Sequence, residues 1–300
     1  DIHSGFCYDL IFNWIHGEDK NFFRSIADYV TSNLSLLDRF NSFEIKDLQE
    51  TDVLPVIDEV ILSKLMYGIS NRTIDNDSVI RIVEKRRTSA WYEDYTYFYE
   101  GIYQVALMNQ FYESHLNSFH HVEAKDMWKA YTSDYYQMDT FYRSFHTSFS
   151  TCFETLHPSL DDAFKDLADY VEKEYKNWYL DQLSSNWNKV IESDLGSTGK
   201  ISGHAQQTDF YRDVVKNVDG KVFVIISDAM RYDVAYSLAK QLEIETKADV
   251  EISAQQGIYP TITKYGMAAL LPHKTLEVVE NNGTTKVLVD GHSSEMSDRD

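Results

Sequence analysis

A carboxylate stands where an apolar run stops. In KVFVIISDAMRYD, Phe223 to Ile226 are all apolar, Ser227 breaks the run and Asp228 follows, with Arg231 and Asp233 close behind. A short β-rich run reads as a strand, and in open α/β sheets ligands bind beyond the carboxyl ends of the strands. A carboxylate there can hold a metal ion. It can equally cap the helix that follows, because Asp accepts from the unpaired amides of a helix N-terminus. Position alone leaves both readings open.

Farther on, QGIYPTITKYGMAALLP places Thr261 and Thr263 directly behind Pro260, where a helix begins, ahead of the small, packable run Gly266, Met267, Ala268 and Ala269. A hydroxyl at a helix N-terminus lies among unpaired N–H groups at the positive end of the helix dipole. That setting favours a phosphate and stabilises an alkoxide. Two threonines two apart allow one to cap and one to react, although capping alone also accounts for the pair.

The elements around these residues alternate. VFVIIS reads as a strand, RYDVAYSLAKQLE as a helix, ADVEISAQQG as a strand, TKYGMAALL as a helix and TKVLVDG as a strand. Alternation of this kind predicts a parallel sheet with crossover helices. No GxGxxG or P-loop follows VFVIIS, which argues against a nucleotide-binding regulator.

Upstream the pattern is helix after helix, broken by only Pro55 and Pro158 of the four prolines. In DVLPVIDEVILSKLMYG, Leu54, Ile57, Ile61 and Leu65 share one helix face, with Asp52 placed to cap the helix and Gly68 to close it. Trp91, Tyr95, Phe98, Ile102 and Val105 recur at intervals of three and four and read as packing. Lys85, Arg86 and Arg87 read as a solvated face. DDAFKDLADYVEKEYKNWYLDQLSSNW is a further amphipathic helix, and SDLGSTGKISG the best linker. The chain therefore divides into a helical region, 1–205, and an α/β segment, 206–300.

Composition narrows the function classes. At 300 residues with 43% hydrophobic, the chain can bury a substantial core. A net charge of -20 argues against direct nucleic-acid binding, which draws its affinity from Lys and Arg. Two cysteines, Cys7 and Cys152, are too few for a disulfide framework, and no apolar run reaches the length of a membrane span, so a cytoplasmic protein is expected. The first residue is not Met and the last ones are a polar run, so a piece of a longer protein is expected.

Together, FVIISDAMRYDVAYSLAKQL and YPTITKYGMAALLP resemble the opening of a PglZ domain, a branch of the alkaline phosphatase superfamily. SVIRIVEKRRTSAWYEDY, YQMDTFYRSFH and VEKEYKNWYLDQLSSNW are similar to the same proteins, the PglZ type A proteins of BREX phage-defence systems. The resemblance implies an α + α/β fold, a mainly helical N-terminal region followed by the first, incomplete part of an alkaline phosphatase-like domain with a parallel sheet. It implies Asp228 as the first metal-binding carboxylate and Thr263 as the nucleophile, with Thr261 as second choice. Arg231, the basic residue of D-x-x-R, is expected to pair with a carboxylate such as Asp233 and support the turn, ahead of binding substrate directly.

The resemblance further implies two divalent ions, zinc for choice, with the remaining ligands beyond residue 300, so the chain alone is expected to be inactive. A phosphate ester is the implied substrate, and other BREX proteins such as the methyltransferase component the implied partners. Asp290, ending TKVLVD, is an outside candidate for a ligand. His273 and His292 read as loop histidines, His120 and His121 diverge by about 100° on a helix, and His146, Cys152 and His157 fit no zinc spacing. A second reading is a non-catalytic scaffold that assembles defence-system partners through the helical region.

Overall fold

The computed structural model describes residues 2–17, 19–152, 157–281 and 283–295. Among the described residues the α-helices are α1 (Ile2–Ile15), α2 (Lys20–Asn33), α3 (Leu36–Asn41), α4 (Ile45–Leu48), α5 (Val56–Ser70), α6 (Asn76–Arg86), α7 (Tyr92–His115), α8 (Ala124–Ala130), α9 (Tyr136–Cys152), α10 (Pro158–Glu174), α11 (Asp181–Thr198), α12 (Tyr232–Glu245) and α13 (Thr263–Leu270). The strands are β1 (Leu276–Asn281), β2 (Thr284–Val289) and β3 (His292–Ser293). The prolines punctuate these helices: Pro55 directly precedes α5, Pro158 opens α10, and Pro260 and Pro272 flank α13. None interrupts a helix interior, where the ring would remove a hydrogen bond.

The chain forms two compact units, Asp1–Ser118 with Gln137–Gln182, and Phe119–Tyr136 with Leu183–Asp300. The first is built around α5. Ile57, Ile61 and Leu65 are buried as their spacing predicts, and Val60, Leu62 and Met66 are buried too, so the helix is enclosed on more than one face. Trp91, Tyr95, Phe98, Ile102 and Val105 are all core residues, Trp91 lying just ahead of α7 and the other four along it. Phe164 of α10 packs against Phe98 with ring centroids 5.0 Å apart.

Three expectations for this unit need correction. Asp52 does not cap α5; its carboxylate accepts from the Ala90 amide at 2.9 Å, and its carbonyl from the Trp91 indole at 2.8 Å. Gly68 lies inside α5 rather than closing it. A Cβ there would stand 2.9 Å from the Ile74 side chain, so close packing, not chain reversal, is what uses the glycine. Arg86 is not solvated. It is 2% exposed and forms a two-pronged ion pair with the fully buried Asp58, while Lys85 and Arg87 stay exposed and pair with Glu50 and Glu100.

In the second unit α11 runs to Thr198, through the Gly and Ser of the expected linker, so the loop there begins only at Gly199. The described sheet is antiparallel, in the order β1-β2-β3. Leu276 faces Val289 and Asn281 faces Thr284, and Leu288 pairs with Ser293. TKVLVD is β2, as expected, but VFVIIS and ADVEIS pair with no strand among the described residues, where parallel pairing is limited to one bridge between Gln206 and Gln256. Strands need neighbours. β1 and β2 pair with each other, with Gly283 between them at φ 75°, whereas among the described residues no neighbour covers VFVIIS, leaving Phe223 86% and Ile225 93% exposed.

Candidate active site

The turn after VFVIIS is made by Asp228 and Ala229, and Ala229 takes φ 57°, a left-handed conformation that a side chain seldom adopts. Asp228 Oδ1 accepts from the Ala229 amide at 3.0 Å. Its other oxygen, Oδ2, accepts the Thr263 hydroxyl at 3.1 Å. The structure therefore brings together a carboxylate and a hydroxyl that lie 35 residues apart in the chain.

Thr263 is the first residue of α13 and does not cap it; the cap residue is Ile262, which lacks a side-chain acceptor. The amides of Tyr265 and Gly266 are spent on the Ile262 carbonyl. Those of Thr263 and Lys264 donate to nothing among the described residues, so the helix presents free N–H groups beside the hydroxyl. Thr261 is exposed and makes no hydrogen bond among the described residues.

Asp228 and Thr263 line a cleft of about 470 Å³ with Ile226, Lys264, Met267 and Glu295. Lys264 and Glu295 were not singled out from the sequence. Lys264 directly follows Thr263, and its ammonium donates to the Thr285 carbonyl at 3.0 Å, tying α13 to β2. The buried Ala268 and Ala269 let that helix lie close to the sheet, where Val287 is buried.

Arg231 and Thr261 are not in the cleft wall. Arg231 Nε lies 3.3 Å from Oδ1 of Asp233, which is fully buried at the start of α12. The same helix is fastened by aromatic rings: Tyr136 packs on Tyr236 with centroids 4.5 Å apart, and the Tyr232 hydroxyl donates to the Thr132 carbonyl at 3.0 Å. Burial holds the Tyr136 hydroxyl well above its ordinary pKa. This anchors the helix that leaves the Asp228 turn.

The approach to Thr263 is held by two glutamines. Gln256, 4% exposed, accepts from the Ile201 amide at 2.7 Å and donates to the Gly199 carbonyl at 3.1 Å. Gln207 accepts from the Ile258 amide at 3.0 Å and lies so close to Gly266 that a Cβ there would stand 3.3 Å from its nitrogen.

The other candidates are otherwise engaged. Asp290 accepts from the Lys274 and Thr275 amides, each at 2.8 Å, and these hold its carboxyl below the usual range. His273 and His292 bond to nearby carbonyls, His121 to the Tyr135 hydroxyl, and His146 to Glu172, while burial pushes the Cys152 thiol up to about 12. His157 lies against Tyr95 and Phe98. Among the described residues no group of three or more His, Cys, Asp or Glu side chains converges as a metal site. Asp228 offers oxygen donors, but it alone falls short of the three or four protein ligands that zinc takes.

The family described as BREX system PglZ alkaline phosphatase-like domain matches residues 209–300. Within this chain it is these residues that are similar to the PglZ family. Its match contains both Asp228 and Thr263. Likeness to curated proteins extends well beyond the PglZ segment, into the helices. The chain is 34% identical over 270 residues to the alkaline phosphatase-like protein PglZ of Bacillus cereus (strain H3081.97), covering 89% of this chain and 31% of that protein. It is also 34% identical over 259 residues to the alkaline phosphatase-like protein BrxZ of Escherichia coli O9:H4 (strain HS), covering 83% and 29%. The chain thus spans about a third of the length of the curated relatives it matches. No solved structure matches it. No helix among the described residues is long and apolar enough to cross a membrane.

Proposed function

We propose that this chain supplies the nucleophile and the first metal-binding carboxylate of a metal-dependent phosphoric ester hydrolase acting in a bacterial BREX anti-phage system. The observation that carries the reading is the 3.1 Å hydrogen bond from the Thr263 hydroxyl to Asp228, inside a cleft and within the PglZ match. Thr263 is the nucleophile and Asp228 its acceptor. The bond orients the hydroxyl, and the free amides at the start of α13 favour an anion beside it. Thr261, without a partner in the cleft, remains the second choice. Arg231 supports the turn through Asp233.

Two divalent ions, zinc for choice, belong to this reading, with Asp228 as one ligand and the rest from the length of the relatives that the chain does not span. VFVIIS is then the first strand of a parallel sheet completed by the same length, which accounts for its exposed apolar side chains. Residues 1–205 form the helical region and 206–300 part of the hydrolase domain. The protein works in the cytoplasm on a phosphate ester, alongside other BREX components such as the methyltransferase.

The test uses a full-length protein containing this chain and bis(p-nitrophenyl) phosphate. Thr263→Ala should lower turnover at least about a hundredfold while leaving the circular dichroism melt in place. Asp228→Ala should lower bound metal by elemental analysis. Undiminished turnover in Thr263→Ala removes the nucleophile assignment, and phage protection that survives both substitutions shifts the function to scaffolding.

A further inference from the structure

The chain carries a net charge of -20, yet among the charged residues lining one groove of the first unit, cations outnumber carboxylates four to one. Lys46 of α4, Lys64 of α5, and Arg81 and Lys85 of α6 border a space of about 830 Å³. Arg81 and Lys85 are four apart and share a helix face. Among the described residues the one carboxylate lining the groove is Glu44. Lys85 pairs with Glu50. Lys64 donates to the Asn41 carbonyl at 3.0 Å and Arg81 to the Ser78 hydroxyl at 2.7 Å, neither of which neutralises a charge. Lys46 is exposed and makes no ion pair among the described residues.

The groove also has an apolar element. Ile82 is 8% exposed, Ile45 and Ile74 are half-buried, and Tyr67 stands 68% exposed at the rim, its ring stacked on no other among the described residues. Cations around an apolar floor match a ligand that alternates carboxylates with an apolar side chain. Lysines are flexible point charges that can each meet a separate carboxylate, whereas two-pronged binding of one oxyanion favours the guanidinium fork.

We propose that this groove docks an acidic, leucine-bearing peptide segment of a partner protein, its carboxylates on Lys46, Lys64 and Arg81 and its apolar side chain on Tyr67 and Ile82. A nucleic acid fits less well, because a uniform polyanion longer than the groove meets the acidic remainder of the surface, whereas a short peptide confines its charge to the cationic part. The inference is independent of the hydrolase reading and uses none of its residues.

The test is fluorescence anisotropy, at low ionic strength, of a labelled dodecapeptide of repeated Glu-Glu-Asp-Leu titrated with the full-length protein. Saturable binding is expected, weakened about tenfold or more by Lys46→Glu with Arg81→Glu. Tyr67→Ala should weaken it several-fold at unchanged charge, which nonspecific attraction would not do. Lys125→Glu, on an exposed lysine of the other unit, should change it little. Should the double charge reversal alter the circular dichroism melt, Lys46→Ala with Arg81→Ala replaces it and should still weaken binding. The proposal is overturned by the absence of saturable binding or by equal affinity in the groove variants. It is also overturned if an oligothymidylate of the same charge binds more tightly and is released by the same substitutions.

Discussion

Replacing Arg86 by methionine keeps the side chain's bulk and removes its charge from a place that water does not reach. Arg86 Nε and Nη2 donate to the two Asp58 oxygens at 2.9 and 2.7 Å, Nη1 donates to the Thr51 carbonyl at 2.8 Å, and the Tyr99 hydroxyl adds a bond of 2.6 Å to Asp58. Without the arginine, a fully buried carboxylate keeps one hydrogen bond and no counter-charge. Breaking a buried pair from one side costs about 3–5 kcal/mol, and the orphaned Thr51 carbonyl adds about 1 kcal/mol. With a urea slope of about 2 kcal/mol per molar, the midpoint should fall by about 2 M. Hydrogen exchange of the α5 and α6 amides against urea reads this in the right unit. Burial already pushes the Asp58 carboxyl above its ordinary value, against the pull of Arg86 and Tyr99, and loss of Arg86 raises it further. A carboxyl raised in the folded state binds its proton more tightly there, so the contribution to stability is full below 3.8 and is lost as pH climbs through the folded value. The deficit of Arg86→Met should therefore shrink toward acid. Asp58→Leu with Arg86→Met should recover most of the loss, because no buried charge remains. A loss under about 1 kcal/mol, or a double variant no better than the single one, would refute the reasoning.

Three further outcomes follow from other sites. Burial raises the Glu174 carboxyl to about 7 from 4.5, so the first unit should lose about 3 kcal/mol as pH rises from 4.5 through 7, and Glu174→Gln should flatten that slope in urea titrations. Gly101→Ala, which by helix propensity alone should stabilise α7 by about 1 kcal/mol, should instead destabilise it by about 1–2 kcal/mol, because the new Cβ would stand 2.7 Å from the buried Phe164 ring; a raised melting temperature would contradict this. Gln256→Ala removes the acceptor of the Ile201 amide and the donor to the Gly199 carbonyl, and should cost about 1–3 kcal/mol, with faster hydrogen exchange from Gly199 to Gln207 and ahead of Thr263; unchanged exchange there would remove the glutamine's role in holding that loop.

What the chain reveals of itself before folding depends on how far its partners lie along it. The Ile57, Ile61 and Leu65 face and the Trp91 to Val105 stripe are local repeats, and both are buried. Arg86 escaped because a run of three basic residues suggests water. Yet Val79, Ile82 and Val83 are buried at helical spacing ahead of it, and that stripe extended by one turn lands on Arg86. A cation on an apolar stripe calls for a buried carboxylate, and Asp58, 28 residues earlier, looks in isolation like an ordinary first-turn acid. The β1–β2 hairpin had its own local signal, Asn-Gly between two β-rich runs. VFVIIS shows the opposite limit: its residue types fit a strand, but a strand is made by neighbours, and none covers it among the described residues. Asp228 and Thr263 fall between these cases. Each is notable from its own few neighbours, and each had a bland alternative as a helix cap. Their contact spans 35 residues, and the bland reading weakens at both ends, because the cap positions are Arg231 for α12 and Ile262 for α13, and the Thr263 hydroxyl turns to the carboxylate instead.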